Sequence, residues 1–141
     1  GKPHKSWSWA DFTPIAKLSI KHLGINLVTL DKASGEAMAW GPGLLNHEAK
    51  IGEDGTAFIV GHRDSHMRFL KDLRVGEHLT LELPNGEQQT YQAVRSDIVD
   101  SRTWTTPTDL TSETSIALIT CWPFDETESG PERYILYANL I

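Results

Sequence analysis

Apolar and polar positions alternate through most of the chain at the spacing of strands. Pro14 opens a run in which Ile15, Leu18 and Ile20 are apolar, predicting a strand from Ile15 to Lys21. Gly24 interrupts it, and Ile25, Leu27, Val28 and Leu30 predict a second strand. Residues 32–40 read as a short helix capped by Ser34 and ended by Gly41-Pro42-Gly43. Residues 44–55 read as loop. Ala57-Phe58-Ile59-Val60 is an unbroken apolar run, the pattern of a strand buried on both faces. Met67, Leu70 and Leu73 then recur at helical spacing, predicting one or two helical turns over 66–73. His78 to Leu83 alternates cleanly, Asn85-Gly86 signals a hairpin, and Gln88 to Val99 is the return strand. Ile116-Ala117-Leu118-Ile119 is a second doubly buried strand, and Arg133 to Ile141 is the last strand.

Seven or eight strands with little helix and no helical crossovers predict an all-β fold, a closed or nearly closed β-barrel. Two connections, residues 100–114 and 122–132, are longer than most structural loops, and such loops often carry function. There is no internal repeat and no low-complexity segment.

Composition narrows the partners. The 141 residues suit one domain, and none of their apolar runs approaches the ~18 residues that span a bilayer. The formal charge of -6 with scattered Lys and Arg excludes the clustered basic face that nucleic acid requires. The sequence opens on Gly1, and residues 1–13 carry Trp7, Trp9 and Phe12 on a polar, basic arm. These aromatics either pack on the barrel or mark a segment just outside a membrane. The expected division is an arm over 1–13 and a single domain over 14–141.

Cys121 is the single cysteine, so no internal disulfide forms. It sits where a buried strand meets a loop, His62 sits at the end of another, and Arg133 opens the last strand. Three such groups can converge at one rim of a barrel. Their chemistry is complementary. A thiolate attacks a carbonyl, an imidazolium protonates the leaving amine, and a guanidinium stabilises the oxyanion without losing its own proton. Each also has a plain structural reading: Cys121 as inert core, His62 as a turn residue bonded to backbone, Arg133 as a rim charge pairing with Glu132 or Asp125.

These residues stand in motifs that resemble those of sortases. Leu118-Ile119-Thr120-Cys121 is similar to the Thr-Leu-x-Thr-Cys signature, with Ala117 in place of the first Thr. Val60-Gly61-His62-Arg63-Asp64, followed by Phe69-Leu70-x-Asp72-Leu73-x-Val75-Gly76, is similar to the surroundings of the sortase histidine. Arg133-Tyr134 is similar to the site of the family arginine, and Thr120 to Asp125 resembles a subgroup from Gram-negative bacteria. The likeness runs from about Ile15 to the end of the chain.

The resemblance implies a closed eight-stranded barrel and a cysteine transpeptidase that needs no cofactor. Cys121 would be the nucleophile, His62 the proton donor and Arg133 the stabiliser. The implied substrate is a secreted protein with a C-terminal sorting signal like Leu-Pro-x-Thr-Gly, cleaved after Thr and passed to an amine. Thr120, Trp104 and Trp122 would wall the peptide groove. The implied location is the outer face of the cytoplasmic membrane, with an N-terminal anchor preceding the arm. Some sortases bind calcium, but Glu48, Glu53, Asp54, Asp109 and Glu113 match no Ca²⁺ loop, and no metal is expected. Two other readings stand beside this one. His62, Asp64 and His66, with His47 or His78, would be the ligands of a metal-dependent hydrolase. Alternatively the barrel binds peptide without catalysis.

Overall fold

Eight strands succeed one another in the computed structural model, which describes residues 13–33, 40–45, 49–105, 107, 113–128 and 130–141. They are β1 (Pro14–Ile20), β2 (Ile25–Leu30), β3 (Gly43–Leu45), β4 (Gly55–Val60), β5 (His78–Glu82), β6 (Gln88–Asp100), β7 (Thr114–Cys121) and β8 (Glu132–Leu140). Hydrogen-bonded in the order β1-β2-β3-β4-β7-β8-β6-β5, they close into a barrel where β5 returns to β1. The pairs β2/β3 and β4/β7 are parallel, and the rest are antiparallel. Parallel neighbours need a long crossover. Here the β5–β6 hairpin serves as the link between β4 and β7, where many proteins use a helix.

The barrel interior takes one set of alternating side chains. Leu18, Ile20, Ala57, Ile59, Leu79, Leu81, Ile116, Leu118 and Leu136 belong to a single buried cluster. The residues between them on β4, β7 and β8 are also apolar. Phe58, Ala117, Ile119, Ile135 and Tyr137 form a second buried cluster, packed by Val60, Val99 and Trp104. This outer cluster explains the two unbroken apolar runs: β4 and β7 are covered on both faces.

Local structure departs from expectation in three places. β3 straddles Gly43, read as the end of a helix, and the first two residues of the stretch read as loop. It has three residues, too few to show alternation, and Gly43 is required because a Cβ there would lie 1.9 Å from the Lys32 carbonyl oxygen. Lys21 leaves its strand and starts a short 3-10 turn, Lys21–Leu23, which ends at Gly24 in the left-handed region (φ 68°). The expected helical turns at 66–73 appear as a 3-10 segment, Arg68–Lys71, which buries Phe69 and Leu70. The Asn85-Gly86 hairpin forms with Pro84 and Asn85 at its corners. The Gly86 N–H bonds the Leu83 carbonyl at 2.9 Å, and Gly86 itself has φ 89°. All of the expected arm over 1–13 except Thr13, and most of the expected helix at 32–40 (residues 34–39), lie outside the described residues, as do His47, Glu48 and Asp109.

Candidate active site

β4 and β7 run parallel in the register Ala57↔Ile116 through Val60↔Ile119. His62 stands two residues beyond Val60, and Cys121 two residues beyond Ile119. His62 therefore lies just past the end of β4 at the level where Cys121 ends β7, both with the parity of the sheet's outer face, shared with Phe58 and Ala117. Antiparallel pairing with β8 then sets Arg133 directly opposite Cys121. Two parallel strands of equal reach and one antiparallel neighbour are enough to bring the three groups together.

They line one cavity of about 390 Å³. Its apolar wall is Val60, Val99, Trp104, Ile119 and Ile135, drawn largely from the outer cluster, with Leu45 beside them. The three residues thus meet on the outside of the sheet, beside a strand-end groove. Cys121 is a free, half-buried thiol, and His62 is exposed. One Arg133 nitrogen, Nη1, donates to the Gly130 carbonyl at 2.5 Å and to the Glu132 carbonyl at 2.9 Å. Among the described residues its Nε and Nη2 have no hydrogen-bond partner, so a fixed guanidinium still offers donors to a ligand.

The backbone around His62 and Cys121 is tied together. The Gly61 N–H bonds the Ile119 carbonyl at 3.1 Å, and the His62 carbonyl accepts the Met67 N–H at 2.9 Å. Thr120, with the parity of the interior, is 2% exposed, and its hydroxyl donates to the Gly61 carbonyl at 2.8 Å. Its side chain joins the histidine loop to β7, while the residue as a whole still borders the cavity.

Of the two tryptophans expected to wall the groove, the structure gives the cavity one. Trp104 lines it, held edge-on to Phe58 with centroids 5.8 Å apart. The turn beneath it is built on Asp100. The Asp100 backbone carbonyl accepts the Thr103 and Trp104 N–H groups, and its carboxylate accepts Arg102 N, Nε and Nη2 at 2.9, 3.0 and 2.7 Å. The Arg102 side chain, above all, holds the Asp100 carboxyl down at about 2. Trp122 is absent from the cavity lining. It stacks on Tyr134 at 5.7 Å and meets Phe124 edge-on at 4.9 Å. Phe124 and Tyr134 pack against the interior cluster, so this trio closes the end of the barrel.

The hydrolase alternative loses its ligand set: among the described residues no three His, Cys, Asp or Glu side chains gather closely enough to hold a metal ion. Sequence reasoning missed the groove walls Val60, Val99, Ile119 and Ile135. The signal was present in the doubly apolar runs, which reveal a second hydrophobic surface but not that part of it is open. It also gave no role to Arg63, whose guanidinium donates to the carbonyls of Pro123 and Glu128.

Comparison with known proteins bears on the family and the fold. The curated relative Sortase D of Bacillus subtilis (strain 168) is 29% identical over 124 residues, which are 88% of this chain and 62% of the relative. The chain thus spans about three-fifths of that protein's length. A Clostridium perfringens Sortase D5 transpeptidase superposes with a TM-score of 0.71 at 23% identity, covering 92% of this chain and 79% of that one. A lid mutant of Sortase A from Corynebacterium diphtheriae does so with 0.79 at 20% identity, covering 94% and 73%. These two structures share the barrel. The family model described as the sortase domain matches residues 18–141, nearly the whole barrel, and the chain belongs to the sortase family.

Proposed function

We propose that this chain is a cysteine transpeptidase acting on a C-terminal sorting signal like Leu-Pro-x-Thr-Gly. Family membership supports the reaction class, and one observation carries the assignment of residues: Cys121, His62 and Arg133 line a single cavity with an apolar wall. The wall suits the extended, partly apolar part of such a peptide.

In this reading the Cys121 sulfur, having given up its proton, attacks the Thr carbonyl carbon and forms an S–C bond. The carbonyl oxygen takes the negative charge, and the free donors of Arg133 stabilise it. The C–N bond to Gly breaks as His62, carrying a proton, delivers it to the departing amine. A primary amine then attacks the thioester, its surplus proton passes to His62, and the thiolate leaves with a new amide formed. Arg133 keeps its proton throughout, because guanidinium does not titrate in proteins.

The same reading places the enzyme on the outer face of the cytoplasmic membrane, held by an N-terminal anchor. No helix of the described residues is long and apolar enough to cross a membrane. The assay is incubation with a library of sorting peptides and amines, followed by mass spectrometry of the protein. An acyl adduct on Cys121, absent in Cys121→Ala, supports the reading. Turnover surviving in Cys121→Ala, or a thiol inert to both peptides and thiol-reactive probes, overturns it; the inert thiol favours a barrel that binds without catalysis.

A further inference from the structure

Arg63 follows His62 directly, yet its side chain faces away from solvent: it is 9% exposed. A guanidinium is rarely buried without partners. Here Nη1 donates to the Pro123 carbonyl at 3.0 Å and Nη2 to the Glu128 carbonyl at 2.6 Å. Both acceptors belong to the loop between β7 and β8, 60 and 65 residues away in sequence. Pro123 lies two residues past Cys121, and the loop returns to the sheet at β8, next to Arg133.

The position of this bridge matters. Up to Gly61 and Thr120, ladder bonds and the Thr120 hydroxyl fix the two strand ends. Beyond them Cys121 is the last residue of β7, still paired with Arg133, whereas His62 stands on a segment that has left the sheet. The Arg63 fork spans the gap on the far side of both residues, holding two carbonyls with one rigid group.

We infer that Arg63 is a positioning residue for the transfer reaction, a two-carbonyl tether that fixes the His62 segment against the loop that follows Cys121 and leads to Arg133. It touches no reacting atom. Its contribution is to keep the proton donor at a fixed spacing from the nucleophile and stabiliser, which the β7–β8 ladder already holds together. This rests on the reading of the three residues given above.

The test compares wild type with Arg63→Ala and Arg63→Lys, assayed below each melting midpoint with the sorting peptide that acylates the wild type. The tether predicts that kcat falls about 10- to 100-fold in Arg63→Ala while KM stays within about threefold, because misplacement weakens chemistry more than peptide binding. Arg63→Lys recovers only part, since one ammonium cannot replace the planar fork. Hydrogen exchange, read by mass spectrometry on residues 122–131, rises in Arg63→Ala whether or not any peptide turns over. Wild-type kcat in folded Arg63→Ala overturns the inference, as does unchanged exchange in that loop. Full recovery by Arg63→Lys also overturns it, in favour of charge alone. If Arg63→Ala does not fold, Arg63→Lys carries the same kcat and exchange criteria. A wild type that cleaves no peptide would fail the reading of the site instead, and the exchange measurement would still judge the tether.

Discussion

Cys121 and Arg133 face each other across the β7–β8 ladder, one at the end of its strand and the other one residue into its own. Sheet register, the most rigid coordinate of a barrel, therefore sets the distance between nucleophile and cation. Nη1 of Arg133 is held by the Gly130 and Glu132 carbonyls, which orients the plane of the guanidinium. A lysine keeps the charge and loses that plane. Arg133→Lys is expected to lower kcat by about 100-fold or more, close to the effect of Arg133→Ala, with both proteins unfolding near the wild-type denaturant midpoint. Recovery of more than half the activity by lysine would show that charge alone suffices.

Thr120 offers a sharp choice between two roles. A residue that holds substrate changes KM when altered. The structure directs the hydroxyl inward to the Gly61 carbonyl, a bond within the protein. Thr120→Val keeps the shape and orphans that carbonyl, so stability should fall by about 1–3 kcal/mol in urea denaturation. KM for the sorting peptide should stay within about twofold, since binding to substrate is not what is lost. A large rise in KM without loss of stability would return Thr120 to the groove.

Gly61 precedes the histidine in a crowded place. A Cβ there would lie 2.5 Å from Met67 Cγ and 3.3 Å from Pro42 Cβ, and Met67 is fully buried. Relief requires the His62 segment or the Met67 turn to move. Gly61→Ala should cost about 1–3 kcal/mol and lower kcat as well, because the displaced segment carries His62. Denaturant titration and steady-state kinetics read the two effects separately. Wild-type values for both would mean that the methionine yields freely.

The barrel was legible because alternation, glycine and hairpin chemistry are local signals, and β1, β2, β5 and β6 lie within a few residues of their expected bounds. β3 escaped because its three residues find a strand conformation only by pairing with Leu30 on one side and β4 on the other. The convergence of Cys121, His62 and Arg133 could be anticipated from their places at strand ends. That the meeting point lies on the outer face, beside a groove, depends on parallel pairing of strands 59 residues apart, which no local pattern records. Trp104 and Trp122 looked equivalent in sequence, both being loop tryptophans near the site. Backbone parity separates them: Trp122 follows Cys121 directly and so falls on the Tyr134 side, where it closes the barrel end.

Trp104 brings pH into the account through Asp100. Arg102 pulls the Asp100 carboxyl from 3.8 down to about 2, mainly by its side-chain hydrogen bonds and then by its backbone N–H. A carboxyl whose folded value lies below its unfolded value stabilises the fold fully above the unfolded value, and the contribution is lost as pH falls through the folded one. For Asp100 that window runs from 3.8 down to about 2. Denaturant titrations of wild type and Asp100→Asn should therefore differ by a constant amount at pH 5 and above, and converge toward pH 2. Because the Asp100 turn carries Trp104 to the cavity wall, Asp100→Asn should also raise KM for the sorting peptide by about two- to fivefold at neutral pH, with kcat little changed. Stability curves that stay parallel down to pH 2 would show that the ionised carboxylate does not hold this turn. An unchanged KM alongside converging curves would show that the turn is held but that Trp104 does not contact the peptide.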